Sequence, residues 1–201
     1  PLTGMEVAEL QPASSSIPTI TAHKLQNDRL AVTFDKSGCV KSMVCDGVEL
    51  DLAGPGAQLW TFPDHPAVYD AWDIDRPTLS NGNPVRSQAK RHTEKEGTLQ
   101  AAVCFTRKAG KASTVVTRYR IDPVRPVLLI EFEIDWQDPQ VLLKLAFPTR
   151  YKGRQARFGS AFNSTLRDQL PGPIQNDAVF EAPGSRWVTV SDDTEKEGMM
   201  M

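Results

Sequence analysis

Metal-binding and disulfide-forming residues are scarce: the 201 residues hold three cysteines and three histidines. Cys39, Cys45 and Cys104 are odd in number and none sits in a C-x-x-C pair. That pattern argues against a disulfide framework and a thiolate zinc site, and leaves three thiols packed as small hydrophobes in a reducing compartment. His23, His65 and His92 stand apart, without partner ligands at metal-binding spacing. No run of eighteen apolar residues is present and no basic-then-apolar leader opens the chain, so neither a membrane span nor a signal peptide is read. The formal charge of -2 creates no field that gathers phosphate backbones or anionic lipid, so nucleic acid and membrane are not expected partners. G-x-S-x-G elbows, phosphate loops and dinucleotide fingerprints are absent, and helical periodicity is hard to find.

Alternation of period two dominates instead. In VLLIEFEIDW, Leu128, Ile130, Phe132, Ile134 and Trp136 share one side, and STVVTRYRID places Val115, Thr117, Tyr119 and Ile121 on another. VLLKLAFPT adds a third run, with Val141, Leu143, Leu145 and Phe147 on one face, so residues 112–149 read as a three-strand antiparallel meander. Further strands are expected in HKLQNDRLAVTF (23–34), TLQAAVCFTR (98–107) and RWVTVS (186–191), with a hairpin over 39–50 about Asp46-Gly47. Fifteen prolines and thirteen glycines fall mostly between these runs, which predicts an all-β, antiparallel β-sandwich. Residues 9–22, rich in Ser and Pro, read as a linker, with 1–8 the tail of a preceding small β domain and 23–201 one large sandwich. The final EKEGMMM stops inside an apolar run, and the sandwich is expected to be truncated there.

Two stretches could carry chemistry. RYKGRQAR would project Arg150, Lys152 and Arg154 from one face if the preceding strand continued, either as a patch for an acidic ligand or as a solvated edge protected by charge. AVYDAWDID (67–75) packs three aspartates and two aromatic rings into nine residues. Carboxylates that accept sugar hydroxyls beside rings that stack on C–H faces are the two halves of a carbohydrate site, which makes Tyr69, Asp70, Trp72, Asp73 and Asp75 candidate substrate-binding residues. In a strand, Trp72 and Ile74 would anchor the segment while Asp73 and Asp75 pointed outward. The competing reading is structural: aspartates that cap loops, and a tryptophan that is simply core.

YDAWDID (69–75), LLKLAFPTRY (142–151) and FEAPGSRWVTVSDD (180–193), in this order, resemble the C-terminal β-sandwich region of family 38 α-mannosidases. LQNDRLAVTFDKSGCVKSMV (25–44) is similar to the strand pair that opens that region, and PLTGMEV to the last strand of the small β domain before it. The arginine-proline pairing of many members is not evident after FGSAFNSTLRDQLPGPIQN, where Arg167 stands as the candidate arginine. The resemblance implies a mutarotase-like supersandwich within a retaining exo-glycosidase whose zinc ion and aspartate nucleophile belong to a separate α/β barrel. On that reading the chain has no catalytic residue, metal or cofactor of its own. Its partners are its own catalytic domain and a mannoside, YDAWDID lies near the substrate mouth or clamps the domain interface, and the three thiols point to the cytoplasm. A free-standing carbohydrate-binding sandwich and a plain interaction module are the alternatives.

Overall fold

The computed structural model describes residues 17–21, 23–69, 72–94, 99–169, 183–194 and 196–201. A first sheet runs in sequence order through β1 (Thr19–Ile20), β2 (Lys24–Gln26), β3 (Leu30–Phe34), β4 (Val40–Cys45) and β5 (Val48–Glu49), all antiparallel. The expected single strand over 23–34 is thus a hairpin, and β1 lies inside the stretch read as linker. Asn27 breaks the run: its Oδ1 accepts from Arg29 N at 2.9 Å and Leu30 N at 2.6 Å, turning the chain. Its Nδ2 donates to the carbonyls of Asp122 and Arg125, which ties this corner to a distant loop. The Asp46-Gly47 hairpin forms as expected, with φ of 48° and 83° at the two turn residues.

Next come β6 (Gln58–Pro63), a single helical turn α1 (Arg76–Ser80) and β7 (Asn83–Pro84), which returns to pair with β6. A four-stranded sheet in the order β11-β10-β9-β8 follows, from β8 (Lys90–Glu94), β9 (Ala101–Lys108), β10 (Thr114–Ile121) and β11 (Leu129–Asp135). β12 (Val141–Ala146) does not extend this sheet; it pairs with β6, Leu145 opposite Leu59, so the meander expected over 112–149 ends after two strands. A last sheet, in the order β14-β13-β15-β16, is made of β13 (Gln155–Ser160), β14 (Asn163–Asp168), β15 (Val188–Ser191) and β16 (Gly198–Met200). The architecture is an all-β antiparallel sandwich, as the alternation predicts.

Its principal core lies between the first sheet and the β8–β11 sheet. Leu25, Leu30, Val32, Phe34 and Val40 meet Val103, Phe105, Tyr119 and Ile121, all fully or nearly fully buried. The alternation of β10 is realised in full, since Val115, Thr117, Tyr119 and Ile121 are each no more than 1% exposed. Phe34, Phe105 and Tyr119 form an aromatic triplet with centroids 4.6–5.9 Å apart. Above it, Asp35 Oδ1 accepts from Ser37 N and Cys39 N and bends the chain into Gly38, whose φ is +76°. A Cβ on Gly38 would stand 2.5 Å from the Phe105 ring, and the Gly38 carbonyl accepts the Tyr119 hydroxyl at 2.7 Å. A second cluster, Leu59, Val85, Ala109 and Val115 with Phe132, Trp136 and Leu143 against it, fastens the β12-β6-β7 sheet to the ends of β9–β11.

One carboxylate holds the two hairpin ends together. Asp138, between β11 and β12, accepts from the backbone N–H groups of Lys111, Ala112 and Ser113 and from Ser113 Oγ at 2.5 Å. These bonds favour the charged form, led by the Ser113 hydroxyl, and hold its pKa at about 2. Because the folded value lies below the unfolded one of about 4, the stabilisation is complete above pH 4 and disappears as pH falls through about 2. Asp138→Ala should lower Tm by on the order of 5 °C or more at pH 7, and by much less at pH 2.5, in matched thermal melts. Equal losses at both pH values would remove the carboxylate from this role.

Candidate functional site

The candidate segment follows directly from β6. Strand pairing ends at Pro63, opposite Val141, and Asp64 N still donates to the Gln140 carbonyl at 2.9 Å. Residues 65–69 then leave the sheet, and residues 72–75 lead back into α1, which begins with Arg76-Pro77 because proline suits the first turn of a helix. The loop closes on itself at its base, where Asp75 Oδ2 accepts from Ala67 N at 2.9 Å. At its tip Tyr69 adopts φ +61°, and its carbonyl accepts from Trp72 N and Asp73 N at 2.9 and 3.1 Å. Thr78 of α1, 7% exposed, is the buried foot of this connection.

This geometry corrects the reading of AVYDAWDID as a strand. Trp72 is not an inward anchor; it is 92% exposed, and Tyr69 is 72% exposed beside Val68 at 59%. The turn bonds onto the Tyr69 carbonyl occupy the backbone groups that a ladder would need. Asp75 is half-buried and engaged within the loop, and Asp73, exposed, accepts from Ile74 N at 2.9 Å. Asp70 lies outside the described residues. The structure therefore leaves Tyr69, Trp72 and Asp73 exposed on one loop and commits Asp75 to shaping it.

A neighbouring strip has no counterpart in the sequence reading. On β6, Trp60 Nε1 donates to Gln58 Oε1 at 3.0 Å and the indole lies against Phe62, with ring centroids 6.3 Å apart. Lys144 stands opposite Trp60 on β12, and burial pulls its ammonium below the usual lysine range. The alternation of Gln58, Trp60 and Phe62 in GAQLWTFP was the available signal.

The basic stretch RYKGRQAR also departs from expectation, since β12 stops at Ala146. Arg150 turns to Asp51, with Nη1–Oδ1 at 2.8 Å, and to the Leu52 carbonyl. Arg154 instead borders a cavity of about 560 Å³ over β13, β15 and β16, whose lining also includes Arg157 and Lys196 together with Asp192, Asp193 and Glu197. The mixture of signs there makes no basic patch. Among the described residues, no three His, Cys, Asp or Glu side chains converge at metal-binding distance, so these residues do not fit a zinc site. No helix among them is long and apolar enough to cross a membrane.

The described residues define an all-β antiparallel sandwich protein, and comparison with known proteins resolves the family. Residues 25–199 match the glycosyl hydrolases family 38 C-terminal domain, and the chain belongs to that family. Over 172 residues it is 28% identical to alpha-mannosidase 2C1 of Mus musculus, a match covering 84% of this chain and 17% of the relative. Human alpha-mannosidase 2C1 gives the same identity and coverage of this chain, and 16% of its own length. The chain thus spans about a sixth of the length of these relatives. Among solved structures, an alpha-mannosidase from Enterococcus faecalis V583 superposes with TM-score 0.69 at 12% identity, covering 85% of this chain and 22% of that one. A second family 38 structure from Enterococcus faecalis gives 0.68 at 11%, over 92% and 25%. At these identities the structural likeness shows the fold.

Proposed function

We propose that this domain is a non-catalytic part of a retaining α-mannosidase, buttressing a catalytic barrel and lending the Tyr69–Asp75 loop to the mouth through which a mannoside enters. The observation that carries this reading is the loop itself: in a chain whose family is glycosidic, Tyr69 and Asp73 are both exposed on it, an aromatic face and a carboxylate within one turn. Sugars offer C–H faces and hydroxyl donors together, and such a pair recognises both. Retaining hydrolysis needs two carboxyl groups about 5–5.5 Å apart, and in this proposal they belong to the barrel together with a zinc ion that engages sugar hydroxyls. No step of bond cleavage is assigned to the described residues. The three free thiols support a cytoplasmic setting.

The test is made in the full-length enzyme. Asp73→Ala should lower kcat/KM for an α-mannoside about ten-fold, chiefly through KM, with Tm unchanged because the side chain is exposed. Unchanged kcat/KM at unchanged Tm would remove Asp73 from substrate contact. Retention of mannosides by the isolated chain on a glycan array, at affinities typical of lectins, would instead favour a free-standing binding module.

A further inference from the structure

The exposed indole of Trp72 has a different task from its polar neighbours. Among the described residues of the loop the acidic groups have local work: Asp75 receives the Ala67 N–H and Asp73 that of Ile74. The apolar groups do not. Trp72, Tyr69 and Val68 are 92%, 72% and 59% exposed, within five positions of one another on the connection that follows β6. Tyr69 holds a left-handed φ of +61°, a conformation costly for a large side chain, and Asp75 Oδ2 ties the base of the loop to Ala67 N. Collapse of a free loop would recover the hydrophobic stabilisation of a tryptophan, which is the largest such contribution a single side chain makes. An indole left exposed in this way fits a surface that receives it. Tryptophan and tyrosine are also the residues that most often dominate binding at protein interfaces.

The length of the relatives identifies the occupant. This chain covers only 16–17% of each alpha-mannosidase 2C1 and 22–25% of the solved family 38 chains, so the greater part of such a polypeptide is available to face the loop. We infer that Trp72, flanked by Val68, seats in an apolar recess on another domain of the same polypeptide and thereby fixes the position of the mouth-lining tip. The inference rests on the proposed function for its partner. It adds that the aromatic group, rather than the acids, makes the interdomain contact.

Cysteine labelling in the full-length enzyme tests it. Trp72→Cys is compared with Lys41→Cys, at an exposed position on β4, using a small maleimide, with the parent enzyme correcting for Cys39, Cys45 and Cys104. Labelling at position 72 should be about ten-fold slower than at 41, because reagent must await domain separation. Labelling at equal rates would overturn the inference. Protection that disappears on dilution would assign the surface to a second copy, and protection appearing only with added mannoside would make the ring a sugar platform; either result overturns it. As a check independent of thiols, Trp72→Ala should lower the Tm of the full-length enzyme by about 3 °C or more while Trp72→Phe restores most of it. The same substitutions should leave the Tm of the 201-residue chain unchanged, since nothing described in it covers the ring. If position 72 is protected while Asp73→Ala leaves kcat/KM intact, the mouth reading fails and the docking stands; free labelling with an impaired Asp73 variant gives the reverse.

Discussion

Replacing Phe105 with alanine should destabilise the domain by about 3–5 kcal/mol, the range for deleting a buried aromatic ring, measured as a lower urea midpoint at unchanged slope. The ring is 3% exposed and touches both Phe34 and Tyr119, so its loss opens a cavity between the two sheets of the main core. Phe105→Leu should cost less than half as much because it keeps most of the volume. A coupling to Gly38 gives a sharper check. Gly38→Ala alone forces a Cβ against the ring at 2.5 Å and also strains the φ of +76°, whereas with Phe105 shortened to alanine the ring contacts go and the strain remains together with a close approach to the residue-105 Cβ at 2.7 Å. The two substitutions should therefore be non-additive, the double variant being more stable than the sum of singles predicts. Additive losses would place the glycine and the ring in separate roles.

The second large effect concerns Arg107, a guanidinium only 2% exposed on the inner face of β9. Its Nη1 donates to the Ser37 carbonyl at 2.8 Å and reaches Cys39 Sγ at 3.5 Å, while Nη2 donates to Thr117 Oγ1 at 3.3 Å; Nε has no partner. Desolvating a cation whose direct partners are these neutral acceptors is expensive, and the side chain also fills space that methyl groups cannot. Arg107→Ala should cost about 3–5 kcal/mol, from the cavity and from acceptors left without donors. Arg107→Met keeps the volume and removes the buried charge, and should cost less than about 2 kcal/mol. If methionine is as damaging as alanine, the hydrogen bonds to Ser37 and Thr117 outweigh the penalty of burying the charge. The same guanidinium favours the thiolate of Cys39, yet burial acts more strongly and pushes that thiol up.

Local patterns that match a local physical demand were legible. The inner face of β10 was read residue by residue, because period-two alternation reports burial on one side of a strand wherever its partners lie. The Asp46-Gly47 turn was readable for a similar reason, as its left-handed φ values select those residue types. Pairing across long separations was not. β12 alternates like its predecessors, but nothing within VLLKLA distinguishes joining β11 from joining β6, some eighty positions upstream. The turn made by Asn27 inside HKLQNDRLAVTF rests on local bonds from Arg29 N and Leu30 N and was a readable signal, whereas its anchorage to the loop between β10 and β11 was not.

The candidate site shows the limit most clearly. Its residues were named from chemistry alone, and Tyr69, Trp72 and Asp73 do share an exposed tip. Their orientation was misjudged because Trp72 and Ile74 alternating with Asp73 and Asp75 imitates a strand over four residues. A single carboxylate bond from Asp75 to Ala67 and turn bonds onto Tyr69 are enough to make it a loop. Such short alternations carry little weight against a following Arg-Pro pair, which opens a helix here.

The assay that bears most directly on this picture is hydrolysis of an aryl α-mannoside by the purified 201-residue chain, run beside the full-length enzyme under the same conditions. No turnover above buffer by the chain, with turnover by the full-length enzyme, is the predicted result. Zinc-dependent or zinc-independent release of product by the chain alone, persisting through a second purification, would contradict it.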